Sequence, residues 1–155
     1  MKIFIITQFL ISVVLCSTPK YNIEKIEYMI SENLIKNNYK IKLLSVDSFT
    51  DKNKISIQLN VQYEGADYSR VIIEGFKSMA KSSIYSKNKI SDFILIIHSN
   101  NFNSTPRFFS ASSDCSVNYF TENKIIQEKW FSECLFDKLI LSDKELIYKN
   151  INFER

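Results

Sequence analysis

The stretch Ile55-Ser56-Ile57-Gln58-Leu59-Asn60-Val61-Gln62-Tyr63 alternates apolar and polar side chains without a break. Successive side chains of a strand point to opposite faces. The pattern therefore predicts a β-strand with Ile55, Ile57, Leu59, Val61 and Tyr63 turned to a core and Ser56, Gln58, Asn60 and Gln62 turned away from it. Uncharged polar residues along one face mean a sheet covered on one side and wet on the other, as antiparallel sheets commonly are. This reading sets the fold class as α+β, with helices packed on one face of the sheet.

Working outward, Tyr39 to Phe49 is also strand-like, and Thr50-Asp51-Lys52-Asn53 supplies turn residues for a hairpin between the two strands. Ahead of them, Ile23, Ile26, Ile30 and Leu34 recur at spacings of three and four. They form one stripe of a helix that Asn22 can cap and Asn37-Asn38 can end. Behind the hairpin, Gly65 to Tyr85 reads as a second helix, with Tyr68, Ile72, Phe76 and Met79 on one face. Gly75 within it is a weak point that favours close packing onto a neighbour. The run Asp92-Phe93-Ile94-Leu95-Ile96-Ile97-His98 suits a central strand, paired with Arg107 to Ser112 after a turn over Asn100 to Pro106. Thr121 is placed to cap a third helix carrying Ile125, Ile126, Trp130, Phe131, Cys134 and Leu135, and the tail from Leu139 is expected to pack as a short helix or extended arm. The predicted order is αββαββα, with about four mainly antiparallel strands.

Length and composition agree with one core. The chain has 155 residues, 45% of them hydrophobic, and only 2 Gly and 2 Pro, which excludes collagen-like, linker-like and low-complexity classes. We expect residues 19–155 to form a single domain behind a secretory signal at residues 1–18. Lys2 precedes Ile3-Phe4-Ile5-Ile6-Thr7-Gln8-Phe9-Leu10-Ile11-Ser12-Val13-Val14-Leu15-Cys16, the order of a charged segment and an apolar segment in a cleavable signal. That run of about 13 residues would be roughly 20 Å as a helix, short of a hydrocarbon core of roughly 30 Å. Cleavage near Cys16 to Thr18 is expected. Membrane contact would follow only if the segment stayed attached or Cys16 were lipidated, and Leu15 is bulkier than lipid attachment prefers. The expected location is the cell envelope or the exterior.

An exported chain meets oxidising conditions, so Cys115 and Cys134 are candidate disulfide partners. The formal net charge of +3 falls slightly when Lys2 leaves with the signal, and the basic residues are too evenly spread to suggest nucleic acid as a partner. Lys77, Lys81, Lys87 and Lys89 gather where the second helix ends, a place that favours positive charge and also offers a site for anions.

Gly65 and Gly75 are the only glycines, so neither a phosphate-binding loop, nor a dinucleotide fingerprint, nor a nucleophile elbow can be written. No nucleotide partner or cofactor is expected. One histidine, His98, and two cysteines beyond the signal do not make a metal spacing. His98 is the one base for a Ser/His or Cys/His pair, and Glu122, Glu128 and Glu133 are the carboxylates from which a pair could be drawn. The leading expectation is a non-enzymatic module that binds a protein or a surface component, with Gln58 and Asn60 as candidate contact residues. A secreted hydrolase using His98 or a Glu pair is the alternative.

The stretch Asn123-Lys124-Ile125-Ile126-Gln127-Glu128-Lys129-Trp130-Phe131-Ser132-Glu133-Cys134, followed by Leu139 and Tyr148, resembles the last helix of BRCT domains, whose Trp and Cys lie four residues apart. The resemblance implies phosphopeptide binding as a second alternative. The glycine-containing turns usual in such domains have no counterpart here.

Overall fold

The computed structural model describes residues 19–37, 41–65, 68–99, 105–141 and 145–150. The proposed signal and Cys16 lie outside the described residues. The fold is α+β. Helix α1 (Ile23–Asn37) leads into strands β1 (Ile41–Asp51) and β2 (Lys54–Tyr63), then α2 (Ser69–Ser83), β3 (Ile90–Ser99) and β4 (Arg107–Ser112). A short α3 (Ser113–Phe120) and a helical turn, α4 (Gln127–Lys129) continuing as a π-turn over Trp130–Cys134, lead to β5 (Leu135–Leu141) and β6 (Glu145–Asn150).

All six strands form one sheet in the order β1-β2-β3-β4-β5-β6. Four of the strand pairs are antiparallel, but β2 and β3 run parallel. The parallel pair follows from α2, because a helical crossover carries the chain from the end of β2 back to the end of the sheet at which β2 began. The expectation of four mainly antiparallel strands is thus extended to a six-stranded mixed sheet.

Local chemistry explains the boundaries. Lys52 and Asn53 both take positive φ, 46° and 65°, which closes the β1–β2 hairpin with two left-handed residues whose twist matches that of the strands. Asn22 caps α1, its Oδ1 accepting from the Lys25 backbone N–H at 3.3 Å. Ile26, Ile30 and Leu34 of α1 are buried, as are Ile72, Phe76 and Met79 of α2. They meet Ile57, Leu59, Val61, Phe93, Leu95, Ile97, Phe109, Ala111 and Leu135 from one face of the sheet. Gly75 is where α2 presses closest, since a Cβ there would lie 3.1 Å from both Leu95 methyl groups.

The third helix departs from expectation. Thr121 ends α3 instead of starting a helix, and the true cap is Ser112, whose Oγ accepts from the Cys115 N–H at 3.2 Å. Residues 123–126 are non-helical and Asn123 takes a φ of 53°, so the predicted long helix shrinks to the turn 127–134. The tail also differs from a short helix: it adds β5 and β6 to the sheet. In this setting the BRCT-like stretch is a short turn feeding a strand, not a closing helix.

Candidate functional site

Four features of the structure bear on function: the disulfide and its aromatic cluster, a polar cleft, an ion pair between an exposed arginine and a buried aspartate, and the open sheet face.

Cys115 on α3 and Cys134 at the end of the π-turn are joined as a disulfide, with Cα atoms 6.1 Å apart, inside the range such a bond spans. The turn's extra residue lets the Leu135 N–H bond back to the Trp130 carbonyl. Trp130 is fully buried and sits among Phe76, Tyr119, Phe120 and Phe131, with ring centroids 4.9 to 5.5 Å away. Its indole N–H donates to Ser116 Oγ at 3.3 Å, so the one polar atom of the ring is satisfied inside the core. This constellation is structural. The Cys115 and Cys134 sulfurs are spent on each other.

Tyr119 stacks on Trp130 and donates its hydroxyl to Gln127 Oε1 at 3.3 Å. Burial raises its pKa above the ordinary value of 10.0, because the phenolate would lose hydration. Stability from keeping this phenol neutral is therefore fully present below the unfolded value and is lost as pH rises through the higher folded value. A spectrophotometric alkaline titration should show a late tyrosine component above the ordinary value of 10.0. Tyr119→Phe should remove that late component, and its persistence would reject the assignment.

A cleft of about 670 Å³ lies between the end of α2 and the start of α3, lined by Lys20, Lys87, Lys89, Asn88, Asp114 and Glu122 among others. Its lysines are partly engaged. Lys20 Nζ donates to the Ile84 carbonyl, and Lys89 Nζ lies 3.1 Å from Asp114 Oδ2. Further along α2, Lys77 turns back to Glu74 at 3.4 Å. Two of the four lysines of the basic cluster legible in the sequence, Lys77 and Lys89, are thus matched by carboxylates.

Arg107 pairs with Asp137 on the core side of the sheet and lies over the Tyr68 and Phe109 rings, 5.5 and 5.2 Å from their centroids. Asp137 is only 8% exposed, and its Oδ1 has no hydrogen-bond partner among the described residues. Sequence reading missed this pair. The available signal is the charged pair Asp137-Lys138 interrupting an otherwise apolar strand.

The open face carries the predicted contact residues. Gln58, Asn60 and Gln62 project from the side opposite the helices, as the alternation required, but all three are half-buried. Asn60 Nδ2 donates to Ser45 Oγ at 2.8 Å and to Asp47 Oδ2 at 3.3 Å, and Ser45 Oγ also donates to Asp47 at 2.7 Å. Beside this polar row runs an apolar one. Ile94 and Ile96 of β3 lie opposite Gln58 and Asn60 in register, Phe108 of β4 pairs with Ile96, and Phe136 of β5 pairs with Ser110. Ile96 is 8% exposed, yet among the described residues it is the one buried apolar side chain outside the main core.

His98 also falls on this face, opposite Gln62, whereas Ser99 points to the other side. The two neighbours in sequence are separated by the pleat. Glu122 pairs with Lys124 at 2.6 Å, and Glu133 lies 3.7 Å from Lys129, on solvated surface. Each of these two carboxylates thus faces a lysine. No group of His, Cys, Asp and Glu suited to a metal occurs among them, and none of the described helices is long and apolar enough to cross a membrane.

With this geometry the molecule is defined as an α+β domain whose described helices lie on one face of a mixed sheet. No family model, curated protein or solved structure matches the chain.

Proposed function

We propose that the protein is a small exported, non-enzymatic domain that binds a protein or a surface component of the cell envelope through the open face of its sheet. The observation that carries the reading is the juxtaposition on that face of the Gln58, Asn60 and Gln62 amides with the Ile94–Ile96–Phe108 row. Amides that both donate and accept, set beside apolar surface, suit protein contact better than small-molecule chemistry. Export rests on the charged and apolar order of residues 1–18.

The test is recovery of the chain from medium or envelope fractions after crosslinking in the producing cells. The expected result is a chain trimmed near residue 18 and linked to a partner. Gln58→Lys should weaken the capture while changing stability by no more than about 0.5 kcal/mol, because Gln58 stands on the sheet face away from the core. Full-length chain found only in the cytosol would overturn export. Unchanged capture by a folded Gln58→Lys variant would move binding to another surface.

A further inference from the structure

We infer that the occupant of the open face is a second copy of this chain, packed sheet to sheet about a two-fold axis that crosses the strands. The inference rests on the reading of this face as the contact surface and names its partner.

Three features of the face point to self-association. First, an isologous contact places each surface patch against itself, so a patch dominated by one charge would repel its copy. No one sign dominates the centre here: Gln58, Asn60, Ile94, Ile96, Phe108 and Ser110 are uncharged, and the charged positions in register beside them, Asp47 and Lys138, are opposite in sign. Amide side chains are complementary to their own kind, since each presents a donor and an acceptor. Second, the apolar row is continuous across β3 and β4, and although Ile96 is already buried, Ile94 and Phe108 keep partial exposure that another sheet would cover most simply.

Third, the two ends of the face differ in net charge, the Ile55 end carrying two carboxylates against one lysine and the Gln62 end a lysine. Lys42 stands at the Gln62 end, in register with Gln62, whereas Asp51 and Asp92 stand at the Ile55 end, with Lys54 opposite Asp51. A two-fold axis across the strands lays the copies antiparallel, so Lys42 of each comes over the Asp51 end of the other. An axis along the strands would set like ends together. The charge division therefore selects the antiparallel arrangement, and it does so twice in a symmetric pair. Asp47 is the unfavourable member. It lies near the middle of edge strand β1, opposite Gln58, and so comes close to its own copy.

Sedimentation velocity of the purified full chain over a range of concentrations, at low and moderate salt, tests the inference. A reversible dimer is expected. Lys42→Glu or Asp51→Lys alone should raise the dissociation constant about tenfold or more, and the double variant K42E/D51K should restore association. An equimolar mixture of the two single variants should form a mixed dimer. D47N should tighten the dimer, and Phe108→Lys should abolish it. Unchanged melting temperatures for the charge variants will show that folding is not what has moved. A chain that stays monomeric at the highest concentration reached overturns the inference, as does a dimer indifferent to both Phe108→Lys and the charge reversals. A monomeric chain that nevertheless crosslinks to a different protein through Gln58 overturns the second copy alone and leaves the binding function standing.

Discussion

Trp130→Ala is expected to destabilise the domain by about 3–5 kcal/mol, the largest loss from any single substitution considered. Trp130 has no solvent exposure, and four aromatic rings pack around it, so truncation leaves a cavity that rigid neighbours cannot fill. Ser116, also fully buried, loses its indole donor at the same time. Trp130→Phe separates these effects. It keeps much of the aromatic contact and is expected to cost less than alanine, with about 1 kcal/mol of its cost arising from the lost indole hydrogen bond. Urea unfolding followed by circular dichroism measures both, because Trp130 is the only tryptophan and its fluorescence vanishes with the substitution. A loss below about 1 kcal/mol for Trp130→Ala would show that this cluster lies outside the cooperative core.

The second large effect concerns the disulfide. Cys115 and Cys134 are 19 residues apart in sequence, and a loop of that size restricts the unfolded chain by about 3 kcal/mol on the loop-entropy argument. The double variant Cys115→Ser/Cys134→Ser should therefore melt on the order of 10 °C lower. The bond also ties α3 to the turn that carries Trp130, so the loss should appear in the cooperative unfolding of the whole domain. Native protein should show no thiol from this pair until it is unfolded and reduced, which intact mass before and after alkylation reads directly. Two alkylated cysteines in the native oxidised sample, or a serine variant as stable as the parent, would contradict the assignment.

The elements read correctly from sequence were those whose periodicity repeats several times. The α1 stripe, the α2 stripe and the alternation of Ile55 to Tyr63 each bury several residues at fixed spacing, so local pattern and tertiary packing agree. β4 coincides with the segment Arg107–Ser112 expected to pair with the Asp92–His98 strand, its short apolar run facing both sides of the sheet. The third helix failed because its apolar residues carry two signals. Trp130 and Cys134 are buried on one turn, but Ile126 is 65% exposed and the chain before it is broken by a left-handed Asn123. The Ser112 cap was present in the sequence, yet α3 has only eight residues, too few for a stripe to declare itself.

The candidate site divides in the same way. Alternation assigned Gln58 and Asn60 to the face away from the helices, because a strand's side-chain period is two whatever its neighbours are. It could not assign what lies beside them. The placement of Ile94 and Ile96 against Gln58 and Asn60 depends on the parallel register of β2 and β3, which α2 sets over a long separation in sequence. Phe108 and Phe136 reach the same face only through β4 and β5.

The sequence by itself determined the class, the two long helices, the β1–β2 hairpin and the side of the sheet on which the amides stand, since each follows from dihedral preference and hydrophobic period within one segment. Tertiary structure decided the strand order, the parallel pair, the conversion of the tail to β5 and β6, the joining of Cys115 to Cys134, and the burial of Asp137 beside Arg107. Those features arise between segments far apart in the chain. They depend on which surfaces meet when all the apolar stripes are buried at once, a constraint that no single stretch of residues contains.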